Sequence, residues 1–176
     1  MTTSEDLKSC DSEEAEVYRV PKTPVSVRVL LEGGSNLEGA LHLTDGSPEH
    51  GGRERVVDLL ERERRFVPLT LEKETRLLNT DRIAVVTVTH PTDAGLEGAA
   101  LEVPIPEVPV TIEMAPNLGH PTTILGRMRL DLPLQRGRIL DLLNGERKFV
   151  TVIGDREILL ISKHYVSAIV QMNDAS

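Results

Sequence analysis

One run of residues occurs twice in this chain. Arg55 to Leu69 reads RVVDLLERERRFVPL, and Arg138 to Val152 reads RILDLLNGERKFVTV, at a constant separation of 83 residues. Each copy reads as a short amphipathic helix passing directly into a strand led by phenylalanine. The chain has two phenylalanines, and Phe66 and Phe149 hold the same place in the two copies. Whatever one copy folds into, the other is expected to fold into as well, with both rings buried alike.

The flanking residues extend the match. Val25, Val27 and Val29 alternate with Ser26 and Arg28, the pattern of a half-buried strand, and the Glu32–Asn36 turn leads to a second strand carrying Leu37, Gly39, Leu41 and Leu43. In the second copy Val110, Ile112 and Met114 take the first role, and Gly126, Met128 and Leu130 the second. The apolar spacing predicts a helix over about 53–64, with Val56, Leu59 and Leu60 on one stripe, and its counterpart with Ile139, Leu142 and Leu143. Strands follow from Phe66, Arg76 and Ile83, and from Phe149, Ile158 and Val166. The expected fold is mainly β (α+β): two tandem five-stranded small barrels or bent sheets, each with one helix between its second and third strands. The expected boundaries are a disordered acidic tail at 1–20, a first repeat at 21–90, a Pro/Gly-rich linker at 91–106 and a second repeat at 107–173.

Composition narrows the function classes. The net charge is −8, and the first 20 residues hold six acids against two bases. An acidic body with 2% aromatics lacks the clustered cations and stacking rings that nucleic acid requires. It also forces the core to be built from Val, Leu and Ile. Two small aliphatic cores bury proportionally less surface than one large one, so packing of the halves together is expected. No apolar run reaches the ~20 residues of a membrane helix, which argues against membrane insertion. A lone cysteine, Cys10, and a polar acidic N-terminus point to the cytoplasm.

Candidate chemistry is sparse. Arg55/Asp58 and Arg138/Asp141 stand three apart on their helices, the spacing of an ion pair that fixes the helix. The alternative sets both aspartates across a pseudo-twofold cleft as an acid/base pair. The five histidines lack metal-ligand spacing, no G-x-S-x-G nucleophile motif occurs, and the Gly33–Gly34 loop leads into a strand where a phosphate cradle needs a helix. No cofactor and no metal are expected, and the chain reads as a non-enzyme. The remaining candidates for anion or partner contacts are Arg64, Arg65, Arg136, Arg138, Arg147 and Lys148, beside the helices and the Phe-led strands. They do not complete the arginine and Asp/Asn-x-Ser-x-x-Gly pattern of PilZ-type receptors.

The R-x-x-D-L-L-N run at 138–144, the strand led by Phe149 and the I-S-K-H-x-V ending at 161–166 resemble a small, functionally uncharacterised bacterial domain found singly and in tandem. The first copy departs from it by Glu61 in the place of Asn144. Sm-like barrels resemble the unit in strand count, but their helix comes first. The resemblance implies no activity. The functional expectation is a non-catalytic adaptor or regulatory protein-binding module of a bacterial cytoplasm, with a protein partner and homo-oligomerisation left open. The alternative is a small anion- or nucleotide-binding regulatory module.

Overall fold

A computed structural model describes residues 21–47, 52–94, 96, 105–119, 123–130 and 138–171. The acidic tail, Arg136 and much of the expected linker fall outside them. The first half contains β1 (Lys22–Leu31), β2 (Asn36–Ser47), the two-residue β3 (Gly52–Arg53), α1 (Val56–Glu61), β4 (Phe66–Thr70), β5 (Thr75–Asn79) and β6 (Ile83–Val88), followed by the short α2 (Pro91–Ala94). The second half contains β7 (Glu107–Met114), β8 (Thr123–Arg129), α3 (Ile139–Leu143), β9 (Phe149–Ile153), β10 (Ile158–Ser162) and β11 (Val166–Gln171). A single 3₁₀ turn leads into the last strand of each half, Thr80–Arg82 before β6 and Lys163–Tyr165 before β11.

All the ladders are antiparallel and form one sheet, in the order β11-β7-β8-β9-β10-β6-β1-β2-β4-β5, with β3 beside β2. The mainly β class stands, as does the helix between the second and third long strands of each half. The sheet is not closed, however, and the halves are not two separate barrels. The runs β6-β1-β2-β4-β5 and β11-β7-β8-β9-β10 have the same internal order. They are spliced where β10 pairs with β6, Ile158 opposite Val88 through Ile161 opposite Val85. The penultimate strand of one half meets the last strand of the other. The halves are therefore joined head to tail.

The splice explains where the cores sit. Side chains alternate across a strand, so a strand between two bodies can feed both. On β10, Ile158 and Leu160 enter the first half's aliphatic cluster, while Ile161 enters the second's. On β6, Val86 and Val88 face the first cluster, and Ala84 and Val85 the second. Two successive residues share a cluster there because the β1–β6 ladder shifts register between Leu30 and Leu31, leaving Ala84 as the bulged residue of β6. The β7–β11 ladder shifts at the equivalent place, between Val166 and Ala168.

Two further features recur. An added Cβ on Gly39 would lie 2.5 Å from the Thr70 carbonyl oxygen, and one on Gly126 would lie 2.5 Å from Val152 Cγ1. Glycine at these matched positions lets the second strand of each half cross close beneath its neighbour. Helix α1 buries Val56, Val57, Leu59 and Leu60 against the first cluster. It is shorter than the 53–64 span because both ends are diverted. Arg53 pairs in β3, and the buried Glu54 accepts the Thr44 N–H (2.8 Å) and pairs with Arg62 (2.7 Å), which draws the chain off the helix axis.

The two phenylalanines are not buried alike. Phe149 is 3% exposed and packs in the first half's cluster, across the splice. Phe66 is 53% exposed, because among the described residues no strand lies beyond β5 to cover it. The buried residues of β4 are instead Val67 and Leu69. Phe149→Ala should therefore cost ~3–5 kcal/mol of stability in urea unfolding. Phe66→Ala, measured in dilute solution, should change it by no more than ~0.5 kcal/mol.

Candidate functional site

The seam between the halves gathers most of the polar chemistry. Glu61, the last residue of α1, accepts the backbone N–H groups of Lys148 (2.9 Å) and Phe149 (2.8 Å) through its two carboxylate oxygens. A carboxylate on two N–H donors is a strong, geometrically defined clamp. It fixes the start of β9 against the first half. Nearby, buried Tyr165 donates its hydroxyl to the Asp81 carbonyl (3.0 Å), tying one 3₁₀ turn to the other. Glu32 forms an ion pair with Arg82 and accepts a long hydrogen bond from Asn117 Nδ2 (3.5 Å). A Cβ on Gly34 would stand 2.5 Å from the Leu118 carbonyl oxygen. The glycine loop is thus a docking contact between halves.

The expected arginine and lysine candidates are only partly assembled. Arg65 and Lys148, which are repeat counterparts, both approach Asp81, at 3.8 Å each. Arg64 and Arg138 are exposed. Arg147 borders two pockets. The first, about 480 Å³, lies between α1, α2 and α3, with Val57, Ala94, Leu96, Leu142 and Phe149 as its apolar lining and Arg55, Asp141, Glu146 and Arg147 as its charged residues. The second, about 370 Å³, is bordered by Asp81, Arg147, Lys148, Lys163 and His164 with Thr80, Phe149 and Ser162.

The repeated Arg/Asp motif behaves differently in the two halves. In the first, the Arg55 guanidinium grips Asp58 with two bonds, Nε to Oδ2 at 2.8 Å and Nη2 to Oδ1 at 3.1 Å, and the Arg55 N–H donates to the same carboxylate. Partial burial makes this pair a fixture of the helix N-terminus. In the second half Arg138 is exposed, and Asp141 instead borders the groove. Of the two aspartates, only Asp141 lies there.

Lys163 spans the other end of α3. Its ammonium donates to the carbonyls of Leu142 (3.0 Å), Leu143 (2.9 Å) and Gly145 (2.8 Å), satisfying the helix C-terminus where the dipole favours a cation. Burial pushes its pKa below the ordinary lysine value; the Glu61 carboxylate opposes that shift and Arg147 adds to it. Burial likewise raises the Tyr165 phenol above 10.0, with the Glu32 charge acting in the same direction. Among the described residues, no group of three His, Cys, Asp or Glu side chains comes together as a metal site. No helix among them is long and apolar enough to cross a membrane.

Glu61, Tyr165 and Lys163 were not marked by the sequence. The one available signal was the departure of Glu61 from Asn144 at a position the repeat otherwise matches. No family model, no curated protein and no solved structure gives a significant match to the chain.

Two outcomes test the seam. Lys163→Met should lower stability by ~1–3 kcal/mol, since three carbonyls lose a charged donor. Tyr165→Phe should cost ~1 kcal/mol at neutral pH. A raised phenol pKa means the unfolded chain ionises first as pH climbs. The advantage of Tyr165 over Phe is therefore full below pH 10.0 and shrinks above it, as paired urea titrations across that range would read.

Proposed function

We propose that this chain is a non-catalytic adaptor or regulatory module that binds a protein partner in a bacterial cytoplasm, receiving a short partner segment in the groove between α1, α2 and α3. The observation that carries this reading is the make-up of that groove. An apolar lining from both halves carries Asp141 and Glu146 together with Arg55 and Arg147, a combination suited to an amphipathic peptide. Its residues come from the three helices, the turn after α3 and the start of β9, which the Glu61 clamp ties to α1. Each five-strand run reads as a small, strongly bent sheet wrapped on its own aliphatic cluster, which suits a rigid platform. The cytoplasmic assignment rests on the single cysteine, Cys10, in the sequence.

The reversal pair Glu146→Lys with Arg147→Glu tests the reading, because both side chains are exposed and their exchange should leave stability within ~0.5 kcal/mol. Affinity capture from native cells should recover a stoichiometric protein with the wild-type chain and lose it with the double variant. Recovery of no such partner, or capture indifferent to the reversal, would reject the groove as a docking site.

One observation favours a second reading, a small-anion or nucleotide-binding regulatory module. Arg147, Lys148 and Lys163 border the pocket of about 370 Å³, although Asp81 offsets part of their charge. Thermal-shift measurements with inorganic phosphate and nucleotides separate the two. A ligand supplied at about 100 times its Kd would add ~2.7 kcal/mol of stability.

A further inference from the structure

The splice inside the chain is a template for a joint between chains. Its two sides are β10, the penultimate strand of the second half, and β6, the last strand of the first. Their repeat counterparts are β5 and β11, and these two strands are the free edges of the sheet. Each copy of the chain thus carries, at its opposite ends, the same two half-interfaces that already mate in its middle.

Burial follows the same logic. The second-half residues that cross the splice into the first cluster are Phe149, Ile158 and Leu160, at 3%, 4% and 0% exposed. Their counterparts are Phe66, at the start of β4, and Thr75 and Leu77 on the edge strand β5, and Phe66 and Leu77 stand 53% and 69% exposed. They are two of the few large apolar side chains left in solvent, and the repeat says what would cover them. On the other edge Val170, 48% exposed, matches Thr87 of the splice, and the bulge in β11 repeats the bulge in β6. The shape of the receiving strand is therefore preserved as well.

We propose that copies of this chain join head to tail, the β5 edge of one pairing antiparallel with the β11 edge of the next. The register is the one inside the chain, which sets Thr75 opposite Gln171, Arg76 opposite Val170, Leu77 opposite Ile169 and Leu78 opposite Ala168. The occupant of both edges is a second copy of the same chain, and the ladder passes from copy to copy. Such an interface is heterologous, so it closes into a ring if the rotation permits and otherwise extends. The joint between chains is weaker than the one within. Asn144 stands where Glu61 supplies its two-pronged clamp, and exposed Ser167 and Ala168 replace Ala84 and Val85, which are buried in the splice. Assembly is accordingly concentration-dependent. The inference does not depend on the groove between the helices, which lies at the splice.

Sedimentation velocity on the full chain across a wide concentration range tests this. The wild type should gain mass with concentration. Leu77→Lys sets a charge where Leu160 is buried in the splice, and Val170→Lys sets one opposite Arg76, where like charges repel. Each variant alone should stay monomeric, with the circular dichroism and dilute-solution melting of the wild type. Mixed, they should form a one-to-one dimer, because each retains the edge the other lacks. Phe66→Ser provides a second block of the β5 edge should Leu77→Lys not fold. A wild type monomeric at every concentration would overturn the proposal. So would assembly insensitive to the variants, or variants that remain monomeric after mixing.

Discussion

Everything in this structure depends on the β10–β6 ladder. Without it, each half would be a five-strand sheet with one short helix and a small aliphatic core. Bodies of that size bury a modest fraction of their surface and are marginal. The ladder changes this by making β6 and β10 interior on both faces. Val86 and Leu160, paired across it, are both fully buried, and each such side chain contributes ~1.5–3 kcal/mol relative to exposure. Phe149 adds the largest apolar side chain in the seam. A chain with 2% aromatics has few ways to enlarge a core, and sharing a wall between two cores is one of them.

The polar contacts of the seam serve orientation more than adhesion. Glu61 satisfies the two N–H groups that begin β9, and Tyr165 ties the two 3₁₀ turns that precede β6 and β11. Glu32 bridges the first hairpin loop to Asn117 and Arg82. These contacts sit around the aliphatic seam, where a wrong register would leave buried polar groups unpaired at ~1–3 kcal/mol each. They select one docking of the halves from the many that an aliphatic surface alone would tolerate. That selection is also what makes the groove between α1, α2 and α3 a defined shape.

The strands were legible because alternation is a local signal: Val25, Val27 and Val29 report one buried face wherever the strand ends up. The close-approach glycines were legible as matched positions, though not their purpose. Three things were not legible, and for one reason. The unbroken apolar run from Ile83 to Val86 and the Ile158–Ile161 run carry no alternation, which is the mark of a strand covered on both faces. The sequence does not say by what. The covering body belongs to the other half, 70 or more residues away, so the splice, the exposure of Phe66 and the role of Glu61 were all beyond local reading. Among the candidate cations, Arg65 and Lys148 hold matching places in the two copies of the repeat. Their meeting at Asp81 is again a product of the splice.

Duplication alone would leave two equal halves, but the chain shows an asymmetry that the sheet order makes intelligible. Two apolar positions covered at the splice in one half are apolar and uncovered at the sheet's end in the other: Phe149 against Phe66, and Leu160 against Leu77. An edge strand is ordinarily blunted by charge, proline or an inward turn. The β5 edge has Arg76, paired with Glu74 at 2.6 Å, but between Arg76 and Asn79 it presents Leu77 to solvent. Leu77 stands at 69% exposure in the position where its twin is fully buried. For the head-to-tail pairing proposed above, such partial blunting supplies both parts of a reversible contact: apolar surface to pair, and charge beside it that keeps the strand from pairing indiscriminately.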